Sequence, residues 1–484
     1  MLLDNAMPLS AIYSHDCSES VAIIGGGFCG AILAAQLLRK SAGSLSVVLI
    51  ERNSGLGRGV AYGTRCTGHL LNVSAKEMSA FPDDPDHFLR WARSHHNPDA
   101  KGSDFLPRCR YGDYVHSILC QEIERFPGRF ESIEDEAVTV DHRDGAVQVH
   151  LRSGQTRTAS RVVLALGNFP PAALHLPEAV RSSSHYVRDP WEAGALTDGA
   201  PTDNVLLIGS GLTSVDVLIA LRASGHTGEI HFLSRHGLLP NGHRSAAPWP
   251  PFAPKLSSVT LLELMRKVRM QVIVAGMRGY DWRAVIDAVR PATQQIWRSL
   301  SFREQRRFLR HLRPYWEVHR HRIAPEVAAR LDAEIAAGHA QLHAGRMTTC
   351  EEDASGINLI YCDRRSGDSR RLRVHRIVNC TGPATDIRLI QHPLLASLLR
   401  QGKIRPDPLF LGLDTSEEGV VIDDDGLAST LIFALGPLRK GSLWETTAVP
   451  EIRVQAAKMA DLLLTIQQAQ PPSTRISQRY AMDT

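Results

Sequence analysis

Two residues of opposite charge occupy matching places in this sequence. Glu51 closes an apolar run 21 residues after Gly30, and Arg235 closes another 21 residues after Ser214. Each run follows a glycine turn: Gly25-x-Gly27-x-x-Gly30 in "VAIIGGGFCGAILAAQLL" and Gly209-x-Gly211-x-x-Ser214 in "NVLLIGSGLTSVDVLIALRASG". In such a turn the first glycine permits a sharp bend and the second lets backbone approach a pyrophosphate. The third lets helix and strand pack closely, and serine at 214 is small enough to do the same. The helix that follows offers unpaired N–H groups and the positive end of its dipole to phosphates. A carboxylate at Glu51 accepts hydrogen bonds from ribose hydroxyls and would repel a 2′-phosphate, with Arg52 beside it as a further cofactor contact. A guanidinium at Arg235 forks onto phosphate oxygens instead, as the 2′-phosphate of NADP requires. The first turn therefore predicts FAD or NAD, and the second NADPH. Two different dinucleotides in one chain suit hydride transfer from nicotinamide to flavin, with FAD in the first site.

These residues need strands and helices to hold them. Residues 21–24, 46–50, 205–208 and 230–233 are short apolar runs, as expected of parallel strands covered on both faces, and 31–39 and 215–222 have helical composition. The predicted class is α/β, with two Rossmann-like dinucleotide-binding domains. Three further runs end in a small-Gly corner: "RVVLALGNFPP", "RIVNCTGPATD" and "LIFALGPLRKG", carrying Gly167, Gly382 and Gly436. Glycine after a buried strand allows close backbone approach, and proline then forces an extended exit. In this order around the second turn they resemble the corners by which two-dinucleotide flavoproteins cross between their domains. Residues 257–338 are rich in Leu, Arg, Ala and Glu and read as helices inserted in the second domain, with Pro314 and Pro325 punctuating "FREQRRFLRHLRPYWEVHRHRIAP". Most arginines there belong on a solvated face. Trp316, His319 and Arg320, at i, i+3 and i+4, share one side that is predicted to line the cofactor cleft. The expected organisation is an FAD domain from 18–200, an NAD(P)H domain from 201–375 with its insertion at about 256–340, and a returning FAD segment from 376–470. Residues 1–17 and 471–484 are tails.

Composition narrows the classes further. The chain has 484 residues, 43% hydrophobic and 22% charged, with a formal charge of +4. Nucleic-acid binding would need a strongly basic domain or stripe, and none stands out. Eight cysteines are scattered without a C-x-x-C pair, which argues against a disulfide framework or zinc site and for a reducing compartment, the cytoplasm. No signal peptide is expected, because the first twenty residues carry acids and lack an unbroken apolar core. The uncharged stretch 21–38 is broken by glycines and predicts a strand, turn and packed helix rather than a membrane span. His319 and His321 stand two apart and would not chelate a metal from one helix, and neither H-E-x-x-H nor G-x-S-x-G occurs. No metal is expected.

Three stretches are more distinctive than any turn: "GRGVAYGTRCTGHLLNVSAKEMSAFPDDPDHFLRWA" from 57 to 92, "YWEVHRHRIAP", and "FALGPLRKGSLWETTAVPEIRVQA". With them the chain, over roughly 20–464, resembles a bacterial family of FAD/NAD(P)-binding proteins related to flavin-dependent, N-hydroxylating monooxygenases. The resemblance implies a discontinuous FAD domain with an NADPH domain inserted in it. It also implies that 57–78 wraps the flavin, with Leu71 and Asn72 near the isoalloxazine, and that Gly436 approaches the flavin tail. Asn72 as a turn-capping residue is the competing reading. The Gly-Asp pair that many flavoproteins place near Gly436 is missing here.

Three functions fit these residues. The leading one is an NADPH-dependent monooxygenase that oxygenates a small soft nucleophile, such as an amine or amino acid, through a C4a-hydroperoxyflavin; its partners are a small-molecule substrate and molecular oxygen. Since the flavin supplies the chemistry, no side-chain nucleophile is required, and Asn72, Trp316, His319 and Arg320 are candidates only as neighbours of flavin or nicotinamide. The second is an NAD(P)H:acceptor oxidoreductase of quinone type, without oxygenation. The third is a flavin-binding sensor without turnover, against which the second turn and Arg235 count.

Overall fold

The computed structural model describes residues 20–53, 55–143, 145–252 and 260–468. Both expected tails, Cys17 and the first residues of the expected insertion lie outside the described residues. Apolar runs become two parallel-centred sheets. The first has the order Val420–Ile422, Ala428–Ala434, Arg161–Leu164, Ser20–Ile24, Ser46–Glu51, Phe130–Glu134, all parallel except the edge strand Val420–Ile422. The helix Phe28–Ser41 covers one face with Arg108–Arg125 and Val449–Gln468; Ile32, Leu33, Leu37 and Leu38 are fully buried there. Burial of each such side chain contributes about 1.5–3 kcal/mol. A three-stranded meander, Ala137–Arg143, Ala146–Leu151 and Thr156–Ala159, and the helix Pro393–Arg400 cover the other face.

In the second sheet the order is Ser369–Val374, Gly356–Asp363, Ala340–Asp353, Ile230–Ser234, Val205–Ile208, Arg376–Asn379, Tyr186–Val187. Its centre is parallel, and Ala340–Asp353 leaves it to form an antiparallel meander with the next two strands. Leu212–Ala223 and Pro325–Ala336 pack on one face. Arg376–Asn379, read from sequence as the start of the returning flavin segment, hydrogen-bonds within this second sheet, and Tyr186–Val187 joins it there. The chain re-enters the first sheet only at Val420. Two corners meet between the sheets, where Pro171 and Pro383 form an isolated antiparallel bridge.

The insertion is helical: Leu261–Met277, Trp282–Val289, Thr293–Ser299, Phe302–Arg307 and Arg313–Arg320 precede Pro325–Ala336. Pro325 sits in a first turn, where a missing N–H leaves no bond unmade, whereas Pro314 comes just after the π-helical turn Phe308–Leu312 that joins Phe302–Arg307 to Arg313–Arg320. The α/β class with two Rossmann-like units is borne out. No helix among the described residues is long and apolar enough to cross a membrane.

Candidate active site between two nucleotide turns

The two turns are built on one plan. Gly25 has φ +108° and Gly209 φ +114°, a region that favours glycine. A methyl group at Gly25 would lie 2.3 Å from the Ala165 carbonyl oxygen, and one at Gly209 would lie 2.4 Å from that of Cys380. Backbone of the neighbouring strand therefore excludes a side chain at both. A methyl at Gly30 would come within 1.9 Å of the Gly25 carbonyl oxygen. Ser214 solves the same packing differently: fully buried, it donates its hydroxyl to the Gly211 carbonyl at 2.7 Å.

The helices Phe28–Ser41 and Leu212–Ala223 start at Gly27 and Gly211, with no side-chain cap and no acidic residue in the first turn. Their leading N–H groups are left for an external acceptor. Leu261–Met277, by contrast, is closed by a Thr260–Glu263 capping box. A methyl at Gly211 would meet nothing within 4 Å, so a phosphate has room against the backbone. Gly27 faces Gly59, whose Cα would stand 3.5 Å from such a methyl, and the two glycines bound a narrower slot. The residues fit a pyrophosphate at both turns.

Glu51 has a second task. Its Oε2 accepts from the Gly26 N–H at 2.6 Å and its Oε1 from the Asn53 N–H at 3.1 Å, so the carboxylate fixes the turn as well as standing at the ribose position. Arg52 beside it is exposed at the edge of the cavity described next. Arg235 is also exposed, and no acid among the described residues pairs with it.

One cavity of about 320 Å³ joins the two units. From the first unit it is lined by Tyr62, Leu71, Asn72 and Met78, and from the second by Leu212, Thr213 and Asp216. The crossing corners contribute Phe169, Pro170, Gly382 and Pro383. Thr447, Ala448 and Val449, at the N-terminus of the 20-residue helix Val449–Gln468, form another side, so a positive dipole end faces the space. Asn72 caps no turn: its side-chain amide has no hydrogen-bond partner among the described residues, while its backbone carbonyl accepts from His243 Nε2 at 3.0 Å. Burial, and then Arg322, lower the His243 pKa to about 4, so the ring is neutral near pH 7. Gly167 has φ +67° and open space where a methyl would stand; Gly436, at φ +79°, packs against Cys29 Sγ on the first helix.

The insertion supplies a charged wall. Arg320 and His321 line the cavity, and burial lowers the His321 pKa. Trp316 Nε1 donates to Glu445 Oε1 at 2.6 Å, and Arg320 Nε donates to Glu445 Oε2 at 3.0 Å. His319 turns away, bonding the Tyr315 carbonyl and meeting the Trp282 ring edge-on at 4.7 Å. Glu445 is 5% exposed with φ +66°, a strained value for a side-chain-bearing residue. Arg290 also lines the cavity and bonds Glu77 at 2.9 Å and Glu451 at 2.9 Å.

Sequence reasoning named Trp316 and Arg320 but missed Glu445, Arg290 and His321 in this wall, and it missed the contact that joins the units. Arg108 donates to both oxygens of Asp216, at 2.6 and 3.1 Å, and its Nε donates to the Leu70 carbonyl at 2.9 Å. His69 Nε2 lies 2.9 Å from the Asp216 carbonyl oxygen. The available signal was the position of Asp216, an acid on the buried side of a helix otherwise apolar at its neighbours Val215, Val217 and Leu218.

Residues 22–169 match a family model described as FAD-NAD(P)-binding, and this part of the chain is an FAD-NAD(P)-binding segment. No curated protein matches the sequence. Among solved structures, the reduced ornithine hydroxylase of Pseudomonas aeruginosa aligns over 92% of this chain and 99% of its own, with 15% identity and a TM-score of 0.64. An ornithine N-hydroxylase from Kutzneria sp. 744, with reduced FAD, NADP+ and L-ornithine, aligns over 92% and 99% at 13% identity and 0.61. The FAD-bound cadaverine monooxygenase of desferrioxamine biosynthesis from Erwinia amylovora aligns over 96% and 98% at 13% identity and 0.63. At these identities the likeness is one of fold.

Proposed function

We propose that the chain is an FAD-containing, NADPH-dependent monooxygenase that hydroxylates the nitrogen of a small amine or amino acid. The observation that carries this reading is a cavity bounded at once by the Leu71–Asn72 segment and by the start of the second nucleotide helix. A flavin ring held by the first unit and a nicotinamide held by the second meet only in such a shared space. In the net reaction NADPH and a proton give two electrons, one oxygen atom of O2 enters an N–H bond as N–OH, and the other leaves as water. FAD, when bound, supplies hydride acceptance and oxygen activation.

The chain's own residues do the rest. Glu51 orders the first turn and would hold the ribose of a bound FAD; the Asn72 amide, free at the cavity, would hydrogen-bond the flavin edge without adding charge; the start of Val449–Gln468 would favour negative charge in the cavity. Arg290, Arg320 and Glu445 give the wall both signs of charge, which suits a substrate that carries an ammonium and a carboxylate. The apolar corner residues Phe169, Pro170 and Pro383 keep water from the reacting atoms. The flavin domain comprises 18–200 and 376–470 around an NADPH domain at 201–375, with the Arg376–Asn379 strand extending the latter's sheet. The similar folds of an ornithine and a cadaverine enzyme support an amine as substrate. Seven free thiols among the described residues suit a reducing compartment and support a cytoplasmic setting.

The test is stepwise. Purified protein is expected to carry FAD, to bleach when NADPH is added without oxygen, and then to form a hydroxylamine from an amine or amino acid when oxygen is admitted. Release of all reducing equivalents as hydrogen peroxide with every amine tried would refute oxygenation. Oxygen-independent reduction of a quinone at the same rate would favour the acceptor-reductase reading.

A further inference from the structure

Past the end of Ile230–Ser234, a group of cations gathers on the second sheet. That strand runs parallel to Ala340–Asp353 with Ser234 opposite Ala344, so the chain leaving Ser234 starts two residues from Arg346 on the neighbouring strand. Gly237 lies over the same strand: a methyl there would be 2.7 Å from the Ala344 side chain. The Arg364 N–H donates to the Ala344 carbonyl at 2.8 Å, which brings the next strand's exit to the same spot. Arg235, Arg346 and Arg364 are all exposed, and none is paired with an acid among the described residues. The nearest carboxylate in sequence, Asp363, accepts from the Arg365 and Ser366 N–H groups through Oδ1 and forms no ion pair with any of the three. His236 feels the result: desolvation first, then Arg364, Arg235 and Arg346, lower its pKa, and no carboxylate offsets them.

Three guanidiniums without a counter-ion repel one another, and a solvated surface has no need to collect them. A phosphomonoester dianion relieves that repulsion and accepts from several forks at once. The site sits beyond the strand that follows the second nucleotide turn, where the adenosine ribose of a bound dinucleotide ends. We propose that Arg346 and Arg364 join Arg235 in a three-arginine cradle for the 2′-phosphate of NADPH, and so set cofactor specificity together with it. The proposal rests on the reading of the second unit as an NADPH site.

The experiment is calorimetric titration of the flavin-loaded protein with 2′,5′-ADP and with 5′-AMP, paired with rates of flavin reduction by NADPH and NADH. Wild type is expected to prefer 2′,5′-ADP. Arg346→Ala and Arg364→Ala are each expected to lower that preference roughly tenfold, and Arg235→Ala at least as much, with 5′-AMP binding and NADH reduction unchanged, because a charge-assisted contact is lost only to the phosphate. Arg346→Lys should recover part of the loss. Arg371→Ala, which removes an exposed charge elsewhere on the same meander, should leave the preference intact. If wild type prefers 2′,5′-ADP and only Arg235→Ala reduces it, the cradle is wrong and the NADPH reading stands. If wild type shows no preference, or if Arg371→Ala lowers it as much as the others, the cradle falls in either case, the first outcome taking the NADPH reading with it.

Discussion

The Arg108–Asp216 pair offers a quantitative test of how the two units are held together. Arg108 begins a helix that packs on the first sheet, and Asp216 lies on the helix after the second turn. Their side chains are only 12% and 11% exposed, and both oxygens of the carboxylate are engaged. Replacing Arg108 with Met keeps the stem but leaves a nearly buried carboxylate without a counter-ion. Breaking a buried pair from one side costs about 3–5 kcal/mol, and residual water access argues for the lower end, about 3 kcal/mol. That loss should lower the thermal midpoint of the second unit by roughly 6–12 °C for a unit of this size. Asp216→Asn removes the charge and keeps the shape, so in the double variant Arg108→Met should cost much less. A coupling of at least about 1.5 kcal/mol is expected for a close bidentate pair. Differential scanning calorimetry on flavin-loaded wild type, both single variants and the double variant gives the cycle. Additivity within about 0.5 kcal/mol would refute a bonded pair in solution. Because Arg108 also holds the Leu70 carbonyl beside Leu71 and Asn72, the single variant should retain FAD yet show slower anaerobic bleaching by NADPH.

The remaining expectations concern the turns and one histidine. Gly30→Ala drives a methyl to within 1.9 Å of the Gly25 carbonyl oxygen and should yield protein without flavin, whereas Gly211→Ala faces open space and should keep FAD but weaken NADPH binding; absorbance and nucleotide titration separate the two. Glu51→Ala frees the Gly26 N–H and removes the ribose acceptor, so FAD retention on dialysis should fall about tenfold or more, and full occupancy would contradict the assignment. The folded His243 pKa lies near 4, below the ordinary 6.5, so the unfolded chain binds the extra proton between those values. Stability contributed by the neutral ring is therefore present above pH 6.5 and lost as pH falls toward 4, by roughly 3 kcal/mol at most. His243→Gln should flatten that part of the pH–stability curve; an unchanged slope would show that other groups carry it.

What could be read from the chain divides by distance along it. The nucleotide turns are local: a strand, three small residues, a helix and a terminal charge fall within about thirty residues, and each follows from backbone sterics. Even there the helices start earlier than composition suggested, at Phe28 and Leu212, because the turn glycines are themselves the N-caps. The charged wall depends on partners 125 and 129 residues apart, Arg320 and Trp316 with Glu445, and no spacing rule brings such residues together. Helical periodicity put Trp316, His319 and Arg320 on one side facing the cleft, whereas of the three only Arg320 lines the cavity and His319 turns toward Trp282. Likewise the strand Arg376–Asn379 and its glycine corner looked like one step back to flavin, whereas the strand pairs with Val205–Ile208 and only the corner crosses.

The two turns share a backbone plan and differ in what stands around them, and that difference bears on how each cofactor is used. At the first turn, Glu51 is already bonded to Gly26 and Asn53, and Gly59 stands over Gly27, so the 57–63 segment covers the slot. A dinucleotide held there leaves only if that segment moves, as befits a cofactor kept through many cycles. At the second turn, Gly211 faces open space and the arginine that would read the ribose is exposed and unpaired. On the proposed function, a dinucleotide would enter and leave there past an uncovered turn, as a hydride donor consumed at every turnover must. The asymmetry of cover, together with the sign of charge at Glu51 and Arg235, supports the proposal that the resident cofactor belongs at the first turn and the exchanging one at the second.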